Sequence, residues 1–210
     1  MPPVAALYDI HGNLAALEAV LGEVPADATI VVGGDICAGP QPAETLERLG
    51  GLGDRIVWVR GNADRELTPG EEGLAPPGSL DSTRSALSAE QIAFLHDLPT
   101  TAQIGRTLFC HASPRNDLDI FTEQTPEDRI AFLFADVDAD VVVCGHTHMQ
   151  FDRRIAGKRV VNAGSVGRPY EDEPGAYWLL DLAHRRTPYE GAELQHTRAE
   201  AVAEFTERGL

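Results

Sequence analysis

Two histidines, His146 and His148, follow an apolar stretch and stand beside a glycine. The stretch 140–144 is an aspartate followed by three valines and a cysteine, which predicts a buried strand. Two neutral imidazoles at the end of a strand can present two nitrogen donors to a metal. Because neighbouring histidines also occur on protein surfaces, a metal site requires further donors elsewhere in the chain.

The same arrangement recurs upstream, where carboxylate, amide or imidazole side chains follow four further predicted strands. Taken one at a time, each could be an ordinary turn or core residue. In an open α/β sheet, however, ligands bind beyond the carboxyl ends of the strands, so we expect these side chains to converge. The candidate metal ligands are Asp9, His11, Asp35, Asn62, His111, His146 and His148.

The number and type of these donors indicate two metal ions. One shared carboxylate would give each of two ions four protein ligands and leave positions for water and substrate. Carboxylate, amide and imidazole ligands suit Mn²⁺, Fe, Co²⁺ or Zn²⁺ better than Ca²⁺. Two ions roughly 3.5–4 Å apart can hold a hydroxide and clamp both oxygens of an in-line phosphoryl displacement.

The elements that must position these donors form a β-α-β-α-β unit followed by hairpins. Such an opening predicts parallel strands with helical crossovers. We predict one α/β domain over residues 1–210, with a loop and helix excursion at about 65–98. The predicted strands are 4–8, 29–32, 55–59, 101–104, 106–110, 140–144, 151–155, 159–161, 176–182 and 188–194. The predicted helices are 12–23, 42–49, one capped by Ser88 and Gln91, 126–134 and 198–207, and 67–80 is expected to be irregular.

The sequence blocks, in their order, resemble the calcineurin-like metallophosphoesterase superfamily over about residues 4–170. The blocks are Asp9-x-His11-Gly12-Asn13, Gly34-Asp35, Gly61-Asn62, His111 and Gly145-His146-Thr147-His148. The resemblance implies a four-layer α/β/β/α sandwich. It implies that one ion is held by Asp9, His11, Asp35 and His148, and that the other is held by Asp35, Asn62, His111 and His146. Asp35 would then bridge the two ions, which are expected to be Mn²⁺, with Fe, Co²⁺, Ni²⁺ or Zn²⁺ as alternatives.

One block departs from the pattern of Ser/Thr protein phosphatases and symmetrical dinucleoside tetraphosphatases. In those enzymes an arginine follows the bridging aspartate and would pair with phosphate, whereas Ile36 follows here. The segments 36–40, 98–99, 111–114 and 162–167 look instead like small bacterial and archaeal phosphodiesterases of the superfamily.

A second departure concerns Ala63, which follows Asn62 where many members carry a histidine that is a candidate general acid. Alanine carries no proton, and general acid catalysis is typically worth about 10²–10⁴-fold. We therefore expect a preference for leaving groups of low pKa, or for substrates that supply their own route for the proton.

The resulting functional hypothesis is a dinuclear metal-dependent phosphodiesterase acting on small phosphate esters or nucleotides, by in-line attack of a metal-bridging hydroxide. The residues expected to take part in catalysis are Asp35, Asn62 and His146. One alternative is a phosphomonoesterase or nucleotide pyrophosphohydrolase with the same centre. Another is a non-catalytic scaffold similar to the metal-degraded subunit of the eukaryotic retromer complex, although every expected ligand is present here.

Composition limits the partners. The chain has 210 residues and a formal net charge of −16, which disfavours extended nucleic acid as a partner. It has no apolar run long enough for a membrane span and no signal-peptide pattern, and its three cysteines form no CxxC pair. We expect a cytoplasmic protein with buried thiols, and the oligomeric state stays open.

Several other polar residues are candidates for substrate contact or for support of the ligands. Arg168, Arg115 and Asn116 could contact substrate phosphate, and Asp64 could support a neighbouring ligand without touching metal. Asn13 is expected to cap the first long helix. The remaining histidines, His96, His184 and His196, are expected to lie on the surface or to bond to other residues.

Overall fold

Two five-stranded mixed sheets face each other, and helices cover their outer faces. The computed structural model describes residues 2–71, 73–194 and 197–209. Its strands are β1 Val4–Leu7, β2 Thr29–Val32, β3 Ile56–Trp58, β4 Thr101–Ile104, β5 Thr107–Cys110, β6 Val141–Cys144, β7 Gln150–Ile155, β8 Lys158–Ala163, β9 Ala176–Leu180 and β10 Ala183–Thr187. Its helices are α1 Leu14–Glu23, α2 Pro42–Gly50, α3 Asn62–Glu66, α4 Asp81–Ala86, α5 Ala89–His96, α6 Glu127–Ile130 and α7 Arg198–Arg208.

The first sheet has the strand order β10-β9-β1-β2-β3, and the second has the order β4-β5-β6-β8-β7. The strands β1, β2 and β3 run parallel, as the β-α-β-α-β pattern predicts. In the second sheet β5, β6 and β8 are parallel. The parallel strands therefore bring their carboxyl ends, and the residues that follow them, to common edges of the two sheets.

Three apolar clusters fill the three spaces between four layers. Side chains alternate along β1, so that Ala5 and Leu7 pack under α1 and α2 while Ala6 lies between the sheets with Phe109 of β5. Ile130 of α6 packs on the outer face of the second sheet. These clusters produce the predicted α/β/β/α sandwich, with a much thinner helical layer on the second sheet than on the first.

Most predicted elements are confirmed to within a few residues, including the capping box in which Ser88 and Gln91 bond reciprocally at the start of α5. The closing hairpin was misplaced: its second strand is Ala183–Thr187, and not 188–194. Asp181 and Leu182 both adopt a positive φ and form a two-residue turn directly after β9. The strand was missed because its exposed, polar residues form a sheet edge, where no apolar alternation is required.

Two short helices, α3 and α4, were also missed because each is too short to display helical periodicity. Both flank the irregular segment 67–80, whose described residues contain no helix or strand, as predicted. The assignment of the whole chain to one domain with an excursion at 65–98 stays a prediction. Within the described ranges, no helix combines the length and apolar character needed to cross a bilayer.

Candidate metal centre

The loops after five strands meet at one end of the sandwich and carry all seven predicted ligands. Backbone hydrogen bonds join these loops to one another. The N–H of Asp9 donates to the carbonyl of Gly34, and the N–H of His11 donates to the carbonyl of Asp35. Between loops of the second sheet, the N–H of Gly145 donates to the carbonyl of His111. The scaffold therefore fixes the separations of the loops.

Five of the seven candidate ligands have a left-handed backbone conformation. Their φ angles are 51° for Asp9, 49° for His11, 52° for Asp35, 67° for His146 and 59° for His148. This region is uncommon for residues other than glycine, although Asp, Asn and His are enriched in it. Such conformations cluster at functional sites, where the surrounding structure enforces them. Here they turn side chains from separate strands toward a common centre.

Two glycines leave the space that the carboxylates need. A Cβ on Gly61 would lie 2.2 Å from Oδ1 of Asp35, and a Cβ on Gly145 would lie 2.5 Å from Oδ2 of Asp9. Heavy atoms cannot approach so closely, so both positions require glycine for steric reasons. Neither has a positive φ, which means that the constraint is space rather than backbone conformation.

The first predicted ligand set forms a compact group. One donor atom from each of Asp9, His11, Asp35 and His148 lies within 4.8 Å of the others, and all four residues are buried. The Nε2 atoms of His11 and His148 are 3.1 Å apart. Oδ1 of Asp9 lies 3.4 Å from Nε2 of His148. Oδ2 of Asp35 lies 3.7 Å from Nε2 of His11. Asp9 therefore faces His148, and Asp35 faces His11.

The second predicted set surrounds the Nε2 atom of His111. This atom lies 3.2 Å from Oδ1 of Asn62, 3.2 Å from Nδ1 of His146 and 3.4 Å from Oδ1 of Asp35. Asp35 therefore presents Oδ2 to the first set and Oδ1 to the second, which is the position expected for a bridging carboxylate. The structure thus brings all seven predicted residues together in the two groups that the resemblance implied.

Backbone carbonyls fix which ring nitrogen faces the centre in three of the histidines. Nδ1 of His11 donates to the carbonyl of Ala38, Nδ1 of His111 to that of Gly33, and Nδ1 of His148 to that of Arg168, at 3.1, 2.9 and 2.7 Å. A carbonyl only accepts, so Nδ1 carries the proton and Nε2 directs its lone pair into the site. Metal-binding histidines usually have such an outer partner.

The arrangement places acceptors against acceptors, and this mismatch fits a bound cation. Oδ1 of Asp9 is buried and has no hydrogen-bond partner among the described residues. The Nε2 atoms of His11 and His148 face each other in the first set, and Nε2 of His111 faces the Oδ1 acceptor of Asn62 in the second. Buried acceptors without donors are unfavourable, and divalent cations would satisfy them.

Burial shifts the pKa values of several of these groups. Burial lowers the pKa of His11 to about 3 and that of His146 to about 3, so both rings are neutral donors. Burial raises the pKa of Asp35 to about 7, which reflects the cost of placing it near other carboxylates without a cation.

Asp64 supports the site without facing it. Its carboxylate accepts the backbone N–H groups of Asp35, Ile36 and Gly61 at 2.9 Å each. It thereby ties the loop after β2 to the start of α3. The expectation that Asp64 supports a ligand agrees with this geometry, although its contacts are to backbone and not to the side chain of Asn62.

A cavity of about 600 Å³ opens over the two groups. Its floor contains His11, Asp35 and His146. Its walls include the segment 74–83 and α7, the latter with Phe205. That the C-terminal helix lines the site is not evident from its sequence, because its pattern is that of an ordinary amphipathic helix.

The other polar candidates are distributed differently. Arg168 lines the cavity, as a phosphate-contacting residue would. Arg115 and Asn116 instead bond to the carboxylate of Asp119, away from the cavity lining. Asn13 caps α1 by accepting the N–H of Ala16, as expected.

His96, His184 and the three cysteines take no part in the site. His184 bonds to the backbone carbonyl of Asn162, and His96 pairs with Asp97. His196 lies outside the described residues. The three cysteines are buried and free, as expected for small apolar residues.

The close approach of Gly61 to Asp35 gives a first prediction. Gly61→Ala should push the Asp35 carboxylate out of both ligand groups and lower metal affinity by at least about 10-fold, because even loss of a ligand's supporting contact costs 10–100-fold. A titration with Mn²⁺ measures the change. Gly22→Ala is the control, since its Cβ would meet nothing within 4 Å in α1. Unchanged affinity in the Gly61 variant would show that Asp35 does not hold metal.

Comparison with known proteins agrees with this architecture. The fold and the site are those of a metal-dependent phosphoesterase, and the sequence profile of the calcineurin-like phosphoesterase superfamily domain matches residues 3–185. The chain therefore belongs to that superfamily, which confirms the resemblance seen in the sequence.

Three relatives illustrate the breadth of the match. A metallophosphoesterase structure from Sphaerobacter thermophilus is 26% identical, with a TM-score of 0.74 over 99% of this chain and 95% of that one. Phosphodiesterase YfcE of Escherichia coli is 25% identical over 184 residues, which cover 82% of this chain and 84% of YfcE. A symmetrical bis(5'-nucleosyl)-tetraphosphatase of Nitrosococcus oceani is 32% identical over 133 residues, but these cover only 58% of this chain and 48% of that enzyme.

Proposed function

We propose that this protein is a dinuclear metal-dependent phosphodiesterase that hydrolyses small phosphate esters. The observation that carries the proposal is the position of Asp35, whose two oxygens face two separate groups of nitrogen and oxygen donors. A single structural ion would need only one such group. Mn²⁺ is the proposed metal, because the donor set mixes carboxylate, amide and imidazole.

The roles of the residues follow from their places in the two groups. When bound, the divalent ions would supply Lewis acidity and lower the pKa of a water molecule that attacks phosphorus. Asp35 holds the two groups at a fixed separation. Asn62 and His146 belong to the second group and line the cavity, where they would orient the reacting oxygens. The loops that carry them are held by backbone hydrogen bonds, so this orientation exists before substrate binds.

The charge around the cavity favours a diester over a monoester. A monoester dianion benefits from a cation beside the metals, and the arginine that supplies it in other members is here Ile36, which is fully buried in the core. Among the described lining residues the cations are Arg168 and Arg208, and Arg208 pairs with Glu204 at 2.6 Å. A diester carries less negative charge than a monoester, so it needs fewer cations besides the metals.

The size and lining of the cavity favour a small substrate with an apolar group. A volume of about 600 Å³ is typical of small-molecule sites. Its walls include Leu80, Ile120 and Phe205, against which an aryl or nucleoside group could pack. The formal net charge of −16 for the whole chain opposes a long polyanion, so we do not propose nucleic acid as a substrate.

A direct comparison of two substrates tests the proposal. We expect Mn²⁺-dependent hydrolysis of bis(4-nitrophenyl) phosphate with a kcat/KM at least about 10-fold above that for 4-nitrophenyl phosphate. The metal chelator EDTA should abolish both activities, and added Mn²⁺ should restore them. A preference for the monoester would favour the phosphomonoesterase alternative. The partial match with a nucleotide tetraphosphatase belongs to the nucleotide pyrophosphohydrolase alternative, which hydrolysis of a dinucleoside polyphosphate would favour.

The same measurements separate an enzyme from a scaffold. A purified protein that binds no transition metal and hydrolyses no ester with added Mn²⁺ would favour a binding platform.

We also propose a cytoplasmic location, because three free buried thiols suit a reducing compartment.

A further inference from the structure

The carboxylate of Glu66, which no motif identified, joins a predicted ligand to the wall of the cavity. Glu66 lies at the end of α3 and is only 3% exposed. Its Oε1 accepts the Nδ2 amide of Asn62 at 2.8 Å and the backbone N–H of Leu74 at 3.0 Å. Its Oε2 accepts the backbone N–H of Ala75 at 2.8 Å. Three donors thus converge on one buried carboxylate, as burial of such a group requires.

The first consequence concerns the amide of Asn62. An amide has a donor end and an acceptor end, and an ionised carboxylate can only accept. Glu66 therefore holds the NH₂ group and turns Oδ1 toward Nε2 of His111, 3.2 Å away. Oδ1 is the end that a cation requires, and the opposite orientation would present NH₂ to the metal.

The second consequence concerns the segment that carries Leu74 and Ala75. Both residues line the cavity, next to Asn62 and Ala63 on its floor. The chain can approach the carboxylate because position 73 is glycine: a Cβ there would lie 1.9 Å from Cδ and Oε1 of Glu66. The φ of Gly73 is not positive, so the requirement is again for space. Glycine at position 73 therefore permits the contact.

We propose that Glu66 is a positioning residue that couples the wall segment 73–75 to the second metal position through Asn62. This inference rests on the proposed dinuclear centre and adds a link from the cavity wall to metal affinity. Displacement of the segment would remove two of the three donors to the Glu66 carboxylate and so loosen its hold on the Asn62 amide, which would weaken the binding of the second ion. The first ligand group contains neither Glu66 nor Asn62 and would keep its ion.

Two variants break the link from opposite sides. Glu66→Gln keeps the shape of the side chain but replaces one acceptor oxygen by a donor, so that it cannot accept all three N–H groups. Gly73→Ala leaves the carboxylate and the ligand chemically unchanged and forces the segment and the Glu66 side chain apart. We expect each to lower the affinity for the second Mn²⁺ by about 10–100-fold, the range for loss of a ligand's outer partner, with the first Mn²⁺ unchanged.

Calorimetric titration with Mn²⁺ gives both affinities, and the electron paramagnetic resonance signal of a coupled Mn²⁺ pair reports the second ion specifically. Gly70→Ala is the matched control in the irregular segment 67–80. It introduces a side chain at a φ of +94°, but its Cβ would meet nothing within 4 Å. Hydrogen exchange of the Leu74 and Ala75 amides in metal-free protein reads the contact itself. At least one of the two amides should lose protection in Glu66→Gln, because glutamine keeps a single acceptor oxygen.

The outcomes are distinct. Unchanged second-ion affinity in both variants would overturn the inference and leave the proposed function standing. A loss in Glu66→Gln without a loss in Gly73→Ala would overturn the coupling to the segment. A wild-type protein that binds a single Mn²⁺ would overturn both the inference and the dinuclear centre on which it rests.

Discussion

Asp35→Asn is expected to remove both metal ions and to lower phosphodiester turnover by more than about 100-fold. Loss of a partner that only supports a ligand already costs 10–100-fold, and Asp35 faces both ligand groups directly. Asparagine has the shape of a protonated carboxyl and can still accept the N–H of Ala63, as Oδ1 of Asp35 does. The burial that raises the pKa of Asp35 to about 7 also indicates that the fold tolerates a neutral group there.

Metal content measured by mass spectrometry, together with turnover of bis(4-nitrophenyl) phosphate, checks this prediction. Asp136→Asn makes the same chemical change at an exposed position and should alter neither quantity. If the Asp35 variant retains two ions per chain, the bridging assignment is wrong. If it loses a single ion, Asp35 belongs to one group only.

Turnover of aryl phosphodiesters is expected to fall steeply as the pKa of the leaving group rises. Ala63 lines the cavity beside Asn62 and cannot donate a proton to the departing oxygen. General acid catalysis typically contributes about 10²–10⁴-fold, and its absence weighs most on leaving groups of high pKa. Ala63→His should therefore flatten this dependence and raise the rate for the poorest leaving groups by about 100-fold.

A series of aryl diesters of graded leaving-group pKa measures both slopes. Ala63→Gln is the matched control, because glutamine has similar bulk to histidine but supplies no proton near neutral pH. A flat dependence in the wild-type protein would mean that another group donates the proton. An equal gain from glutamine and histidine would assign the effect to packing against the substrate.

The candidate site was more predictable from the sequence than its surroundings. Ligands such as Asp9 and His146 follow strands whose apolar residues and order are evident, so their convergence follows from the topology of parallel strands. The uninterrupted apolar residues of β1 likewise predict a strand that is buried on both faces. The apolar clusters on its two faces confirm this prediction.

Contacts between distant segments could not be predicted in this way. Glu66 is a glutamate at the end of a five-residue helix, and nothing near it in the sequence indicates that it binds the backbone of residues 74 and 75. The strand β10 was misplaced for a related reason, since its pairing depends on the turn at Asp181 and not on apolar alternation.

The left-handed backbone of five candidate ligands connects metal supply to the abundance of the protein. Each such conformation costs of the order of 1–3 kcal/mol unless the surroundings compensate it, while natural domains are stable by only about 5–15 kcal/mol. Ions that bind only the folded state stabilise it by an amount that rises with the logarithm of their concentration, and this offsets part of the cost. A cell starved of the metal would therefore lose molecules to unfolding and degradation as well as lose activity in those that remain.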